Sequence, residues 1–227
     1  MTWQQEGGAC CVIALSLWFY LGILRSSSPS RFGWRLGGIG IVMGCLSIAL
    51  LLLCKVLFFS EVLRLPNSDE VLLSTLFVSY IEAGVLEEMS KGVCFLWGYR
   101  MLSWQKRNDR VNCLLLGLLV GLGFGLCENI YYTFFMLSNN QFAIIWDRSL
   151  ASVPAHMIMS AIFAFSWKKW GSFAWSLLAA AFAHGVYDFL AIPGTMLGGM
   201  LIDLWLILGI CLCLLMGRDS IQRPDKI

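Results

Sequence analysis

The chain has 227 residues, 59% hydrophobic and 13% charged, with a formal net charge of +2. The charged share is roughly half the ~25% usual in soluble proteins, and a soluble core of this length could not hide so much apolar side chain. The near balance of charge leaves no electropositive footprint, so nucleic acid is excluded as a partner.

The apolar residues come in long runs rather than amphipathic stripes, which is the pattern of membrane-spanning helices. Seven runs stand out, at about 9–24, 36–60, 71–100, 111–137, 149–167, 171–191 and 195–216. Most are near the ~20 residues needed to cross a bilayer. The expectation is an all-α, polytopic membrane helix bundle with about seven transmembrane helices. It forms a single domain over 1–227, with its chemistry in a core at about 71–191. The first run starts near Ala9 with no Lys or Arg before it, which reads as a retained first span rather than a cleaved signal. Between the runs lie "RSSSPSR" (25–31), "LPNSDE" (65–70), "WQKRNDR" (104–110), "SNNQ" (138–141), "KKWG" (168–171) and "IPG" (192–194), all rich in breakers or charge. Asn139 to Asp147 reads as an interfacial segment before the fifth span.

Twelve Lys and Arg fall in segments on one side of these spans and two on the other, with Lys55 and Lys91 inside spans. The positive-inside rule then places the N-terminus outside and the C-terminus in the cytoplasm. The nine cysteines all lie in apolar runs, without a C-x-x-C pair, and read as small hydrophobes rather than a disulfide or metal framework.

Spans three to six carry the polar groups. In "SYIEAGVLEEMSKGVCFLWGY" (79–99) sit Glu82, Glu87, Glu88 and Lys91, each costing about 3 kcal/mol at mid-bilayer. Glu87 and Glu88 precede Lys91 by four and three residues, so one lysine faces both carboxylates. It cannot neutralise both and Glu82 as well. The surplus carboxylate is what a general base requires. Span four, "GLLVGLGFGLCENIYY" (117–132), has Gly117, Gly121 and Gly125 on one face for close helix approach, followed by Glu128, Asn129, Tyr131 and Tyr132. In span five, "RSLASVPAHMIMSA" (148–161), Pro154 loosens the turn before it and His156 follows, with Ser160 one turn on. In span six, "AAAFAHGVYDF" (179–189), Asp188 stands one turn from His184 and can orient its imidazole. By helical rise, Glu128 lies about 14 Å, and His156 and His184 each about 10 Å, from the outer ends of their spans. Glu88 comes out deeper. The polar set therefore converges in the outer half of the bilayer. Asp203 in span seven has no comparable polar neighbour.

Taken in order, "EEMSK", "GFGLCENIYY", "RSLASVPAH" and "AHGVYDF" resemble the PrsW family of intramembrane proteases, which is related to the CAAX prenyl endopeptidases and bacteriocin-processing membrane proteases. The resemblance covers about residues 79 to 190. It implies a protease of the bacterial inner membrane that cuts a single-span membrane protein such as an anti-sigma factor. It also implies that Glu87, Glu88, Glu128, His156, His184 and Asp188 are catalytic, with Lys91, Asn129 and Tyr132 in supporting or substrate-binding positions. Two mechanisms follow from the resemblance. In one, His156, His184 and Glu128 hold zinc and Glu88 activates the bound water. In the other, favoured because no H-E-x-x-H is present, no metal takes part and Glu88 activates water directly. A proton-coupled transporter using the same Glu and His residues, or an inactive scaffold on the same fold, are the alternative readings.

Overall fold

The computed structural model describes residues 3–27, 33–59, 71–103, 109–136, 141–191 and 195–222. The described residues are helical apart from short caps. In chain order they form α1 (Trp3–Ser27), α2 (Trp34–Cys54), α3 (Val71–Phe77), α4 (Leu86–Met101), α5 (Arg110–Tyr131), α6 (Gln141–Leu150), α7 (Ser152–Trp170), α8 (Phe173–Ala191) and α9 (Met196–Gln222). Three stretches are wound as π-helix: Lys55–Phe59 after α2, Val78–Val85 between α3 and α4, and Tyr132–Met136 after α5.

Among the described residues, five helices are long and apolar enough to cross a membrane: Trp34–Leu57, Arg110–Phe134, Ile145–Trp170, Phe173–Ala191 and Met196–Ile221. They coincide with five of the seven runs expected. The first run is described only as a shorter apolar stretch, Ile13–Arg25. The third is divided by its π segment, and α4 carries Glu87, Glu88, Lys91 and Arg100, so its charge disqualifies it on composition. Most of the linkers named above, including "LPNSDE" and "IPG", lie outside the described residues. Of the segment from Asn139 to Asp147, the part from Gln141 onward is the start of α6, and Asn139 and Asn140 lie outside the described residues.

α5 is the centre of the bundle. Of its apolar window 78% is buried against protein, compared with 11% of that of α9, which faces outward. In lipid the apolar effect does not draw helices together, so close packing of small residues must. On one face of α5 a side chain at Gly117 would meet Ala164 and the Ser160 carbonyl, and one at Gly121 would meet the backbone at His156. On the other face, Gly123 lies against the Ile41 carbonyl, and Gly44 of α2 lies against Val120 and Gly123. The small-residue face of α5 is therefore spent within this chain, on α2 and α7. α8 packs on the π segment before α4, with Gly84 against the Ala181 carbonyl and Gly185 against the Tyr80 ring. This contact sets the start of α4 opposite the end of α8.

Two local features shape the entry to α7. Pro154 has no N–H to donate to the Leu150 carbonyl, and the helix breaks there, α6 ending at Leu150 and α7 starting at Ser152. α7 ends at Gly171 with φ +66, a left-handed cap that suits glycine.

Gly121→Leu should force α5 and α7 apart, lowering stability by about 1–3 kcal/mol as overpacking does and disordering His156. Gly199→Ala, where nothing lies within 4 Å, should leave the thermal midpoint unchanged or raised. Thermal unfolding of the purified variants checks the pair, and equal midpoints would remove the close-approach argument.

Candidate active site

The polar residues of four helices meet at the end of the bundle formed by the C-terminal ends of α2, α5 and α8 and the start of α7. They surround a cavity of about 480 Å³ lined by Glu87, Glu128, Tyr132, His156, His184 and Asp188, among others. The π segments contribute Lys55, Val78, Glu82 and Tyr132 to its wall. Such bulges recur at functional sites because they re-aim side chains within a helix.

Behind the cavity one chain of polar contacts crosses the bundle. Asp188 Oδ2 lies 3.4 Å from His184 Nε2. His184 Nδ1 donates to Glu88 Oε1 at 2.8 Å, and the same oxygen accepts from Lys91 Nζ at 2.5 Å. Lys91 Nζ reaches His156 Nδ1 at 3.0 Å, and His156 Nε2 reaches Glu128 Oε2 at 2.8 Å. Arg148 Nη2 binds that carboxylate at 2.6 Å, while its Nε donates to Asn129 Oδ1 at 3.1 Å. Asn129 Nδ2 donates to Ser149 Oγ at 3.3 Å, and Tyr20 Oη donates to the Ser149 carbonyl at 2.7 Å. An ammonium can only donate, so Nδ1 of His156 accepts, the ring hydrogen sits on Nε2, and Glu128 receives it. Phe124 closes the floor, with Lys91 Nζ 4.1 Å from its ring centroid and the His156 ring 4.9 Å away.

The two adjacent glutamates have different surroundings. Glu88 is fully buried (0% exposed), held by Lys91 and His184, and does not line the cavity. Glu87 does line it. Its Oε2 lies 3.8 Å from His184 Nε2 and 3.9 Å from Lys91 Nζ and has no hydrogen-bond partner among the described residues. Of the two glutamates, Glu87 and not Glu88, the residue expected to take a proton from water, lies on the cavity wall. Lys91 and His184 share Oε1 of Glu88, and its Oε2, like that of Glu87, has no hydrogen-bond partner among the described residues.

The set expected to hold a metal also changes. Glu87, His156 and His184 each bring one ligand atom within 4.8 Å of the others. Glu128, expected in that set, is turned to Arg148 instead. Two imidazoles and a carboxylate suit a divalent ion such as zinc. Glu87 Oε2 is unbonded, and His184 is oriented through its other nitrogen by Glu88, as metal-bound histidines commonly are. His156 would have to release one of its two present partners. The three residues thus fit an ion in kind.

Asn129, expected in a supporting or substrate-binding position, is buried (1% exposed) and bonded to Arg148 and Ser149. Tyr132 lines the cavity beneath Arg148, whose guanidinium lies 3.9 Å from its ring centroid. Two cations were missed from the sequence. Lys55 pairs with Glu82 at 3.0 Å, which takes Glu82 away from Lys91. Arg148 binds Glu128. The signal for Lys55 was a lone lysine at the end of an otherwise uncharged span. The signal for Arg148 was an arginine placed eight residues before His156, about two turns along the same side. Asp203, on the outward face of α9, takes no part in the cavity.

Lys91→Met should leave Glu88 buried without its cation and cost about 3–5 kcal/mol. The double variant with Glu88→Gln should recover much of that loss, because the two residues form one coupled pair. Unfolding in detergent measures both, and additive losses would show that the pair is not coupled.

A family model for the PrsW family intramembrane metalloproteases matches residues 33–216, and comparison with curated proteins and with solved structures gives no match. The matched stretch runs from the start of α2 into α9 and contains every residue of the cavity described above. With several apolar helices and acids and histidines gathered in one cavity, this chain belongs to the PrsW family of intramembrane metalloproteases and is a multi-pass membrane peptidase.

Proposed function

We propose that the chain is an endopeptidase of the bacterial inner membrane that cuts a single-span membrane protein, such as an anti-sigma factor, and that Glu87 is the residue that activates water. The observation that carries this reading is the Glu87 carboxylate. It faces the cavity, is buried, and has an oxygen without a hydrogen-bond partner among the described residues. That oxygen is the natural acceptor for a water proton.

In this reading a stretch of substrate backbone enters the cavity and water sits between Glu87 and the carbonyl to be cut. Glu87 takes the proton as water attacks, and later hands it to the leaving amine. His184, flanked by the carboxylates of Glu88 and Asp188, donates an N–H to the oxyanion. Glu88 and Lys91 hold His184 and His156 in place and touch no substrate. Arg148 holds Glu128 against His156. Tyr132, at the cavity wall, contacts substrate. Were a divalent ion held by Glu87, His156 and His184, Glu87 would serve as a ligand instead of as the base, and the ion would supply Lewis-acid polarisation of the carbonyl and a more acidic water.

The whole chain acts as one membrane domain with its catalytic core in 71–191. It crosses seven times, α1 and the α3–α4 unit supplying the two crossings that length and composition alone do not register. The N-terminus lies outside and the C-terminus in the cytoplasm, as the asymmetry of Lys and Arg supports. The active cavity then opens toward the outer half of the bilayer.

Glu87→Gln should lower turnover of a membrane-tethered substrate in proteoliposomes by about 10²–10⁴-fold, the range for loss of a general base, with the thermal midpoint kept. Glu88→Gln should lose stability along with activity, and Asp203→Asn should remain fully active. Full turnover in Glu87→Gln would sink the assignment. Elemental analysis with chelation decides the ion: activity lost to chelator and regained with zinc establishes the metal route, and unchanged activity establishes the metal-free one.

A further inference from the structure

The family match begins at residue 33, so α1 lies outside it. Yet α1 reaches the active end of the bundle. The buried Tyr20 donates its hydroxyl to the Ser149 carbonyl at 2.7 Å, on the last turn of α6. This is where α6 gives way to α7, and Arg148, Ala151 and Ser152 at the junction all line the active cavity. Pro154 cannot supply the N–H that would join the two helices at the Leu150 carbonyl, so the junction depends on partners from other elements to fix its geometry. Ser149 has one on each side: its hydroxyl accepts from Asn129 of α5 at 3.3 Å, and its carbonyl accepts from Tyr20 of α1. Among the described residues, α6 also packs more extensively on α1 than on α5. Next to the clasped Ser149 stands Arg148, which binds Glu128 at 2.6 Å and Asn129 at 3.1 Å. Glu128 in turn meets His156 Nε2 at 2.8 Å.

We propose that Tyr20 is a positioning residue for the peptidase reaction: it fixes the last turn of α6 against α1 and, through Arg148, keeps Glu128 and His156 aligned in the cavity. The inference rests on that cavity being where peptide hydrolysis takes place. Tyr20 itself does not line the cavity, so it acts through the residues it holds. The rotation of the last turn of α6 sets where Arg148 points, and a bond to the neighbouring carbonyl fixes that rotation. The ring of Tyr20 belongs to the main apolar core with Leu24, and a phenylalanine ring would fill the same space. The hydroxyl is what distinguishes positioning from packing, because it is spent on one carbonyl at the junction. α1 is then part of the active machinery and not an added crossing alone.

The test uses the full chain and Tyr20→Phe, which removes the hydroxyl and keeps the ring. In proteoliposomes with a membrane-tethered substrate, Tyr20→Phe should lower kcat about three- to tenfold with KM unchanged, while the thermal midpoint falls by only about 2–4 °C. Ser176→Ala removes another buried hydroxyl bond, to the Ser172 carbonyl at 2.8 Å, at the start of α8 and away from the cavity. It should lower the midpoint by a similar amount and leave kcat unchanged. In an Arg148→Lys background, Tyr20→Phe should lower kcat by less than about twofold further, because both changes act on the same link. Hydrogen exchange of the purified chain reads the junction without turnover: in Tyr20→Phe it should speed about tenfold across residues 147–153 and stay unchanged in α8. Unchanged kcat in Tyr20→Phe, equal losses of kcat in Tyr20→Phe and Ser176→Ala, or unchanged exchange at the junction overturns the proposal. A full independent loss in the Arg148→Lys background overturns the route through Arg148. A wild-type chain that cuts no substrate would overturn the peptidase reading instead, and the exchange measurement would still decide whether Tyr20 anchors the junction.

Discussion

One ammonium group organises the active end of this protein. Lys91, 2% exposed, lies against Glu88, His156 and the face of Phe124. A buried cation is tolerated only where its partners are close and well aligned. Those partners come from three different helices, so Lys91 ties α4, α5 and α7 together at a single point, and through Glu88 it also reaches His184 on α8. The surplus of carboxylate over cation in the cavity wall is kept in place by this lysine on one side and by Arg148 on the other.

That lysine can work only because the helices approach closely. The glycines of α5 and α2 bring backbone to within reach of backbone, in a solvent that offers no apolar gain from helix association. His156 and Glu128 come within hydrogen-bond distance because Gly121 lies directly against the chain at His156. The π segment before α4 has the matching role at the other wall, where Gly84 and Gly185 seat α8 on it and so face His184 toward Glu88. Among the described residues, six buried side-chain oxygens have no hydrogen-bond partner, and those of the adjacent Glu87 and Glu88 are two of them. The cavity that collects the acids and histidines lies at the end of the bundle where α5 and α8 finish and α7 begins.

Much of this was legible in the sequence. The apolar runs marked the helices, because the bilayer demands both length and freedom from charge. The few ionisable groups that broke that rule marked the cavity, because burying them in lipid is too costly to be incidental. Glu87, Glu128, His156, His184 and Asp188 are all on the cavity wall. The partners of those groups were not legible. Glu87 and Glu88 are chemically identical neighbours, separated by about 100° on the helix, and their order in the chain does not say which faces water. Asn129 looked available to substrate and is instead held under Arg148. The small-residue face of α5 suited a partner chain as well as its own.

What the sequence determined by itself is the class of molecule and the chemical inventory: a helical membrane protein with acids, imidazoles and one lysine set where lipid should be. These follow from composition and period, which are properties of each segment alone. What only the tertiary structure decided is who touches whom. Lys55 takes Glu82, Arg148 takes Glu128, and Glu88 is sealed while Glu87 is open. Those outcomes depend on helix rotation and on the break before α7, and rotation is set by contacts between segments far apart in the chain, which no local pattern records.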